Sequence, residues 1–182
     1  MGITMTRIFT QSRLLLTALV SLYIVAFLLW QHSTTGVPAH HLLHDPELPA
    51  ISNWWGLLIL PLATWCLTTL INTKYGLCYP KKVWLQLGAA GLYALIMTLL
   101  FYAGYMTLVS LLAVPFILFV ALFVPVYQAP FLLAYVVVSS AGFGAFIPTL
   151  GGFIFAAMAY FTYHFIRPIP LWLFTKLTAK NT

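Results

Sequence analysis

Four of the five histidines in this sequence, His32, His40, His41 and His44, fall in one polar segment, 31–53, together with both of its carboxylates, Asp45 and Glu47. Neutral imidazole and carboxylate form a suitable donor set for a divalent transition metal such as Zn²⁺, Cu²⁺ or Ni²⁺. His40 and His44 are spaced i, i+4, and His41 and His44 i, i+3, so one helical turn would bring them to a common face. The sequence therefore predicts a short helix over 39–44, ended by Pro46 and Pro49. In that arrangement His40, His41, His44 and Asp45 would hold the metal, its bound water would be acidified, and Glu47 would serve as base. The run HHLLH is not the HExxH of metalloproteases, because its second position is His and no Glu follows. Two readings without a metal compete with this one. The segment is a polar loop that has to face water and headgroups, or its imidazoles, titrating near neutrality, recharge it in an acidifying compartment.

The segment runs into PAISNWWG, 49–56. Ser52 or Asn53 suits the N-cap of a following helix, and Trp54 and Trp55 suit a membrane interface. The functional alternative places Asn53, Trp54 and Trp55 at the mouth of a ligand site shared with the histidines.

The elements that must position these residues follow from composition. Apolar residues make up 63% of the 182 and charged residues 5%, against about 25% charged in a soluble domain. Lipid must be the main solvent, and there the backbone has to pair internally, as helices or a closed barrel. Barrel strands alternate apolar and polar, whereas this chain has long unbroken apolar runs. The expected fold is thus all-α, a single transmembrane domain over 1–182. The net charge of +6 comes from basic residues grouped at helix ends, which fits anionic headgroups and the positive-inside rule and gives no nucleic-acid signal. Cys66 and Cys78 show no CxxC spacing and are not expected to pair.

From Val83 to Ile166 the sequence contains no Lys, Arg, Asp or Glu. Both flanks are basic, so the number of crossings between them is even. A span takes about 20 residues, and four fit. Glycines and prolines punctuate the stretch at Gly104, at PVYQAP (125–130) and at GFGAFIPTLGG (142–152), the last being a turn or a re-entrant element. The expected spans are 14–30, 54–71, 84–101, 106–124, 129–146 and 149–166, with both termini in the cytoplasm. The first is read as retained rather than as a cleaved signal. The tail 168–177, with Trp172 and Lys176, is expected to lie in the interface. Bacterial inner membrane is the expected home.

Other chemistry is sparse. His164 has no histidine partner at its depth for a haem and is expected at the interface beside Arg167. No acidic or basic side chain falls mid-span, which argues against a carboxylate-based proton carrier or a Schiff-base lysine. SSAGFG (139–144) is not GxSxG. Pro61 and Pro115 fall mid-span and are expected to kink their helices. Tyr93, Tyr102, Tyr105, Tyr127, Tyr135 and Tyr160 offer an aromatic-lined pocket for an apolar or flat ligand, set against ordinary packing.

ISN (51–53) is similar to a fragment of the alkaline-ceramidase type of membrane hydrolase. That family's late-helix HxxxH has no counterpart, since span 6 carries only His164, and its activity is not carried over. In size and span number the chain is similar to the substrate-binding subunits of energy-coupling-factor transporters, with no shared motif. The leading functional expectation is a transport- or channel-like protein or a membrane-embedded ligand-binding subunit. The alternatives are an assembly or structural subunit of a larger membrane complex, and a metal-dependent membrane enzyme using the His-rich loop. Expected partners are the bilayer, further copies of the chain or other membrane subunits.

Overall fold

The computed structural model describes residues 2–41, 47, 49–76 and 78–169. Among these, six α-helices are linked mostly by short turns: α1 (Gly2–Thr34), α2 (Gly56–Tyr75), α3 (Lys81–Tyr102), α4 (Met106–Ala121), α5 (Ala129–Phe143) and α6 (Phe146–Phe161). A two-stranded ribbon, β1 (Ala39–His41) with β2 (Ala50–Ser52), and a 3₁₀ turn (Asn53–Trp55) lie between α1 and α2. A π-helical turn (Thr162–Ile166) continues α6. Six helices are present as expected, with α1 beginning at Gly2, well before the expected start of the first apolar span at 14. Residues 170–182 lie outside the described part, which includes most of the expected interfacial tail.

Four segments are long and apolar enough to cross a membrane: Arg13–Thr34, Asn53–Tyr75, Lys81–Tyr102 and Phe146–Ile166. This is compatible with an integral membrane protein. The helices α4 and α5, of 16 and 15 residues, are shorter than the about 20 that a crossing perpendicular to the bilayer takes.

The exterior is apolar and much of the polar chemistry is inside. Leu85 is 73% exposed and Leu22 67%, while Thr68, Asn72 and Gln86 are almost wholly buried. Leucine outside and amides inside suits lipid, where the bundle's polar groups must find one another.

The turns form where punctuation predicts them. Gly76 (φ 73°) ends α2, donating to Asn72 O at 2.9 Å, and Gly104 (φ 81°) separates α3 from α4. The run 142–152 is largely helical and breaks only at Gly144–Ala145, with Gly144 at φ 70°. Pro61 and Pro115 sit inside α2 and α4, which run through them as single helices.

The helix α5 is central, packing against α2, α3 and α6. Its contacts with α3 run Gln86 with Gln128, Gly91 with Val138 and Thr98 with Gly142, so the two helices point the same way. A Cβ on Gly142 would lie 2.6 Å from Thr98 Cγ2, and one on Gly152 2.7 Å from Leu132 Cδ1. Small residues thus set the close approach of α5 to both α3 and α6, as is usual for helices associating in lipid. By contrast α4 is peripheral, touching α3 and α6 and burying only Ala121.

Candidate functional site

The histidine segment does not form the expected helix where it is described. Residues 39–41 are extended, with His40 paired to Ile51 and His41 to Ala50 in the antiparallel ribbon. Extended backbone repeats every two residues rather than 3.6, so the i, i+4 argument for one histidine face loses its basis. Local helix propensity gave way to cross-strand pairing with the residues leading into α2.

His44 and Asp45 lie outside the described residues. Glu47 is exposed, and no group of three His, Cys, Asp or Glu gathers among the described residues. Ser52 caps the 3₁₀ turn, accepting from Trp54 N at 3.4 Å. Asn53 is buried and its backbone N–H donates to Pro38 O at 3.1 Å. Trp54 and Trp55 are exposed, with the His32 ring 6.2 Å from that of Trp54. Cys66 and Cys78 are both free.

A different site is built into the helices. Behind α4, between it and the α3–α5–α6 face, lies a cavity of about 400 Å³. Its walls are almost entirely apolar, among them Tyr93, Phe116, Val126, Phe131, Tyr135 and Phe155. The small side chains Ala90 and Ala156 and the glycine Gly152 leave the room. Tyr93 Oη donates to Leu112 O at 2.8 Å, pinning α4 to α3, and its ring stacks on Phe116 at 6.1 Å and 14°. With that hydroxyl committed, the wall offers ring faces and methyl groups to whatever enters. The volume falls in the range of about 300–1,000 Å³ of small-molecule sites. Of the six tyrosines expected around an aromatic pocket, Tyr93 and Tyr135 line this cavity. Tyr102 and Tyr105 are exposed at the α3–α4 turn.

Tyr127 and Tyr160 form a second cluster at the end of the bundle where α3 begins and α6 finishes. Tyr127 Oη lies 3.1 Å from His164 Nε2. The Tyr160 ring is 4.4 Å from that of His164 and 5.1 Å from that of Tyr127. The Arg167 guanidinium sits 4.5 Å above the Tyr163 ring, where the π turn carries it through the bond from Arg167 N to Thr162 O at 2.9 Å. Burial, then the neighbouring phenols of Tyr163 and Tyr160, push the Tyr127 phenol above its ordinary range. It therefore stays protonated at neutral pH and able to donate to the imidazole. His164 is exposed here, at the helix end expected of it.

An amide network lies nearby. Gln128 Oε1 accepts from Gln86 Nε2 at 2.9 Å and from Tyr75 Oη at 3.2 Å, and Tyr79 Oη donates to Asn72 Oδ1. Gln86, Gln128 and Tyr75 are far apart along the chain, so no local spacing links them.

No known protein family matches this chain, and comparison with curated proteins and with solved structures finds no similar protein.

Proposed function

We propose that this chain is a membrane-embedded binding protein of a transport-like system, and that its ligand site is the cavity behind α4. The observation that carries this reading is the cavity itself. About 400 Å³ of apolar space persists beside an α3–α5 contact that at Gly142 is too close to admit a Cβ. The cavity is half open to the side of the bundle, and its apolar wall gains dispersion contacts from an occupant of matching apolar surface. The proposal includes six crossings with both termini in the cytoplasm. Lys74, Lys81, Lys82 and Arg167 lie at one end of the bundle and Glu47 in the loop at the other, a charge asymmetry that supports this orientation.

The test is mass spectrometry of organic extracts from gently purified protein. The wild type should carry a defined apolar compound at close to one equivalent. Ala156→Trp, which fills the cavity, should carry less than about a tenth of that, while eluting as the same folded species. Equal amounts in both, or none in the wild type, would sink the reading.

A further inference from the structure

We propose that the occupant of the cavity is a membrane amphiphile with an anionic head group, its apolar chain behind α4 and its head against Tyr127, His164 and Arg167. This rests on the cavity being a ligand site and names the class of ligand.

Three observations carry it. First, the polar cluster begins next to the cavity wall in the chain. Val126 lines the cavity, and Tyr127 is the next residue.

Second, α6 grades along a single face. Gly152 and Ala156 line the cavity; Tyr160 follows one turn on, then Tyr163 and His164, then Arg167. Gly152, Ala156 and Tyr160, spaced by four in α6, share a helix face, and the Tyr160 and His164 rings, 4.4 Å apart, carry it into the π turn. That face therefore passes from apolar through aromatic to cationic, in the order of the parts of an amphiphile. Aromatic rings with a polar atom at the edge suit the boundary between chain and head.

Third, the charge at this end meets no acidic side chain among the described residues. The sequence holds eight Lys and Arg against two acidic residues, and both of those lie between α1 and α2. Glu47, the acidic residue among those described, lies in the loop at the other end of the bundle from Arg167, Lys81 and Lys82. Anionic oxygens brought by a ligand would complete this cluster. Arg167, held over the Tyr163 ring, presents a planar fork of donors suited to phosphate or carboxylate.

The same head chemistry is offered by a free phosphate ester, and the experiment separates the two. Binding to the purified full-length protein is measured for three probes: a single-chain phosphatidic acid, a single-chain phosphatidylcholine of equal chain length, and glycerol phosphate. The anionic lipid should bind about tenfold or more tightly than the zwitterionic one, as charge-assisted hydrogen bonds to a partly desolvated head require. His164→Gln with Arg167→Gln should remove that preference while leaving the zwitterionic lipid bound as before. Ala156→Trp should abolish binding of both lipids. Shortening the chain on the unmodified protein should weaken binding stepwise, a check that needs no variant to fold. Glycerol phosphate should bind far more weakly than either lipid.

Equal affinity for the two lipids, with both lost in Ala156→Trp, overturns the head-group proposal and leaves the cavity reading standing. Glycerol phosphate binding as well as the anionic lipid would show an anion site unconnected to the cavity. No binding of either lipid removes both readings together.

Discussion

At the scale of single residues, Gly142 and Thr98 set how near α3 and α5 can come. The Thr98 side chain is β-branched and its hydroxyl is held by Ala94 O at 2.9 Å, so its Cγ2 has little freedom to retreat from an added methyl. Gly142→Ala should destabilise the purified protein by about 1–3 kcal/mol, the usual cost of overpacking. Thr98→Ser, which deletes the offending methyl, should recover most of that loss in the double variant. A double-mutant cycle followed by reversible denaturant unfolding in detergent reads this coupling directly. Additive losses would show that the pair is not in contact. The glycine was visible in the sequence as part of a small-residue run, but its partner was not. Thr98 is far from it along the chain, and only the parallel docking of two helices brings them together.

At the scale of elements, the contrast is between the ribbon that precedes α2 and the cavity wall. The histidines drew attention because they are rare and clustered, and their spacing suggested a helix. Pairing of Ala39–His41 with Ala50–Ser52 replaced that helix, because backbone bonds between the two arms of a loop outweigh weak local propensity. The ribbon precedes α2, whereas Val126 of the cavity wall precedes α5, at the opposite end of the bundle. His40→Ala with His41→Ala and His44→Ala should therefore leave apolar ligand retention within about twofold of wild type. Metal content measured on the same samples decides the older expectation. Near-stoichiometric zinc, copper or nickel that disappears in the triple variant would restore a metal site in segment 31–53. The cavity was less legible than the loop. Its aromatic lining was noted as a list of tyrosines, but which of them converge depends on α4 standing off from α5.

At the scale of the whole molecule, charge placement and helix length combine. The long charge-free stretch after Lys82 gave four helices, and four are present as α3 to α6. Their lengths differ, and α4 and α5 fall short of a full crossing. The turn after α5 at Gly144–Ala145 is buried at Ala145, and a Cβ on Gly56 at the start of α2 would lie 3.3 Å from Ala145 Cβ. The tip of this hairpin is thus covered by the segment leading into α2, which lets a helix of 15 residues occupy the centre of the bundle. Orientation can be read with thiols. In Cys66→Ala, Cys78 is the remaining cysteine, and a membrane-impermeant maleimide should label it only in inverted vesicles. Thr35→Cys in a cysteine-free background should label only in right-side-out ones. The opposite pattern would reverse the topology.

Sequence by itself determined the all-helical class, the helix count and the turns. Those depend on composition, on run length against bilayer thickness, and on glycine and proline punctuation, all local or additive quantities. Tertiary structure decided which side chains meet. It set α3 and α5 parallel through Gly142 and left α4 apart from α5 so that a cavity opened. These outcomes depend on contacts between residues distant in the chain, where a single methyl group settles the approach, and no periodicity along one segment encodes them.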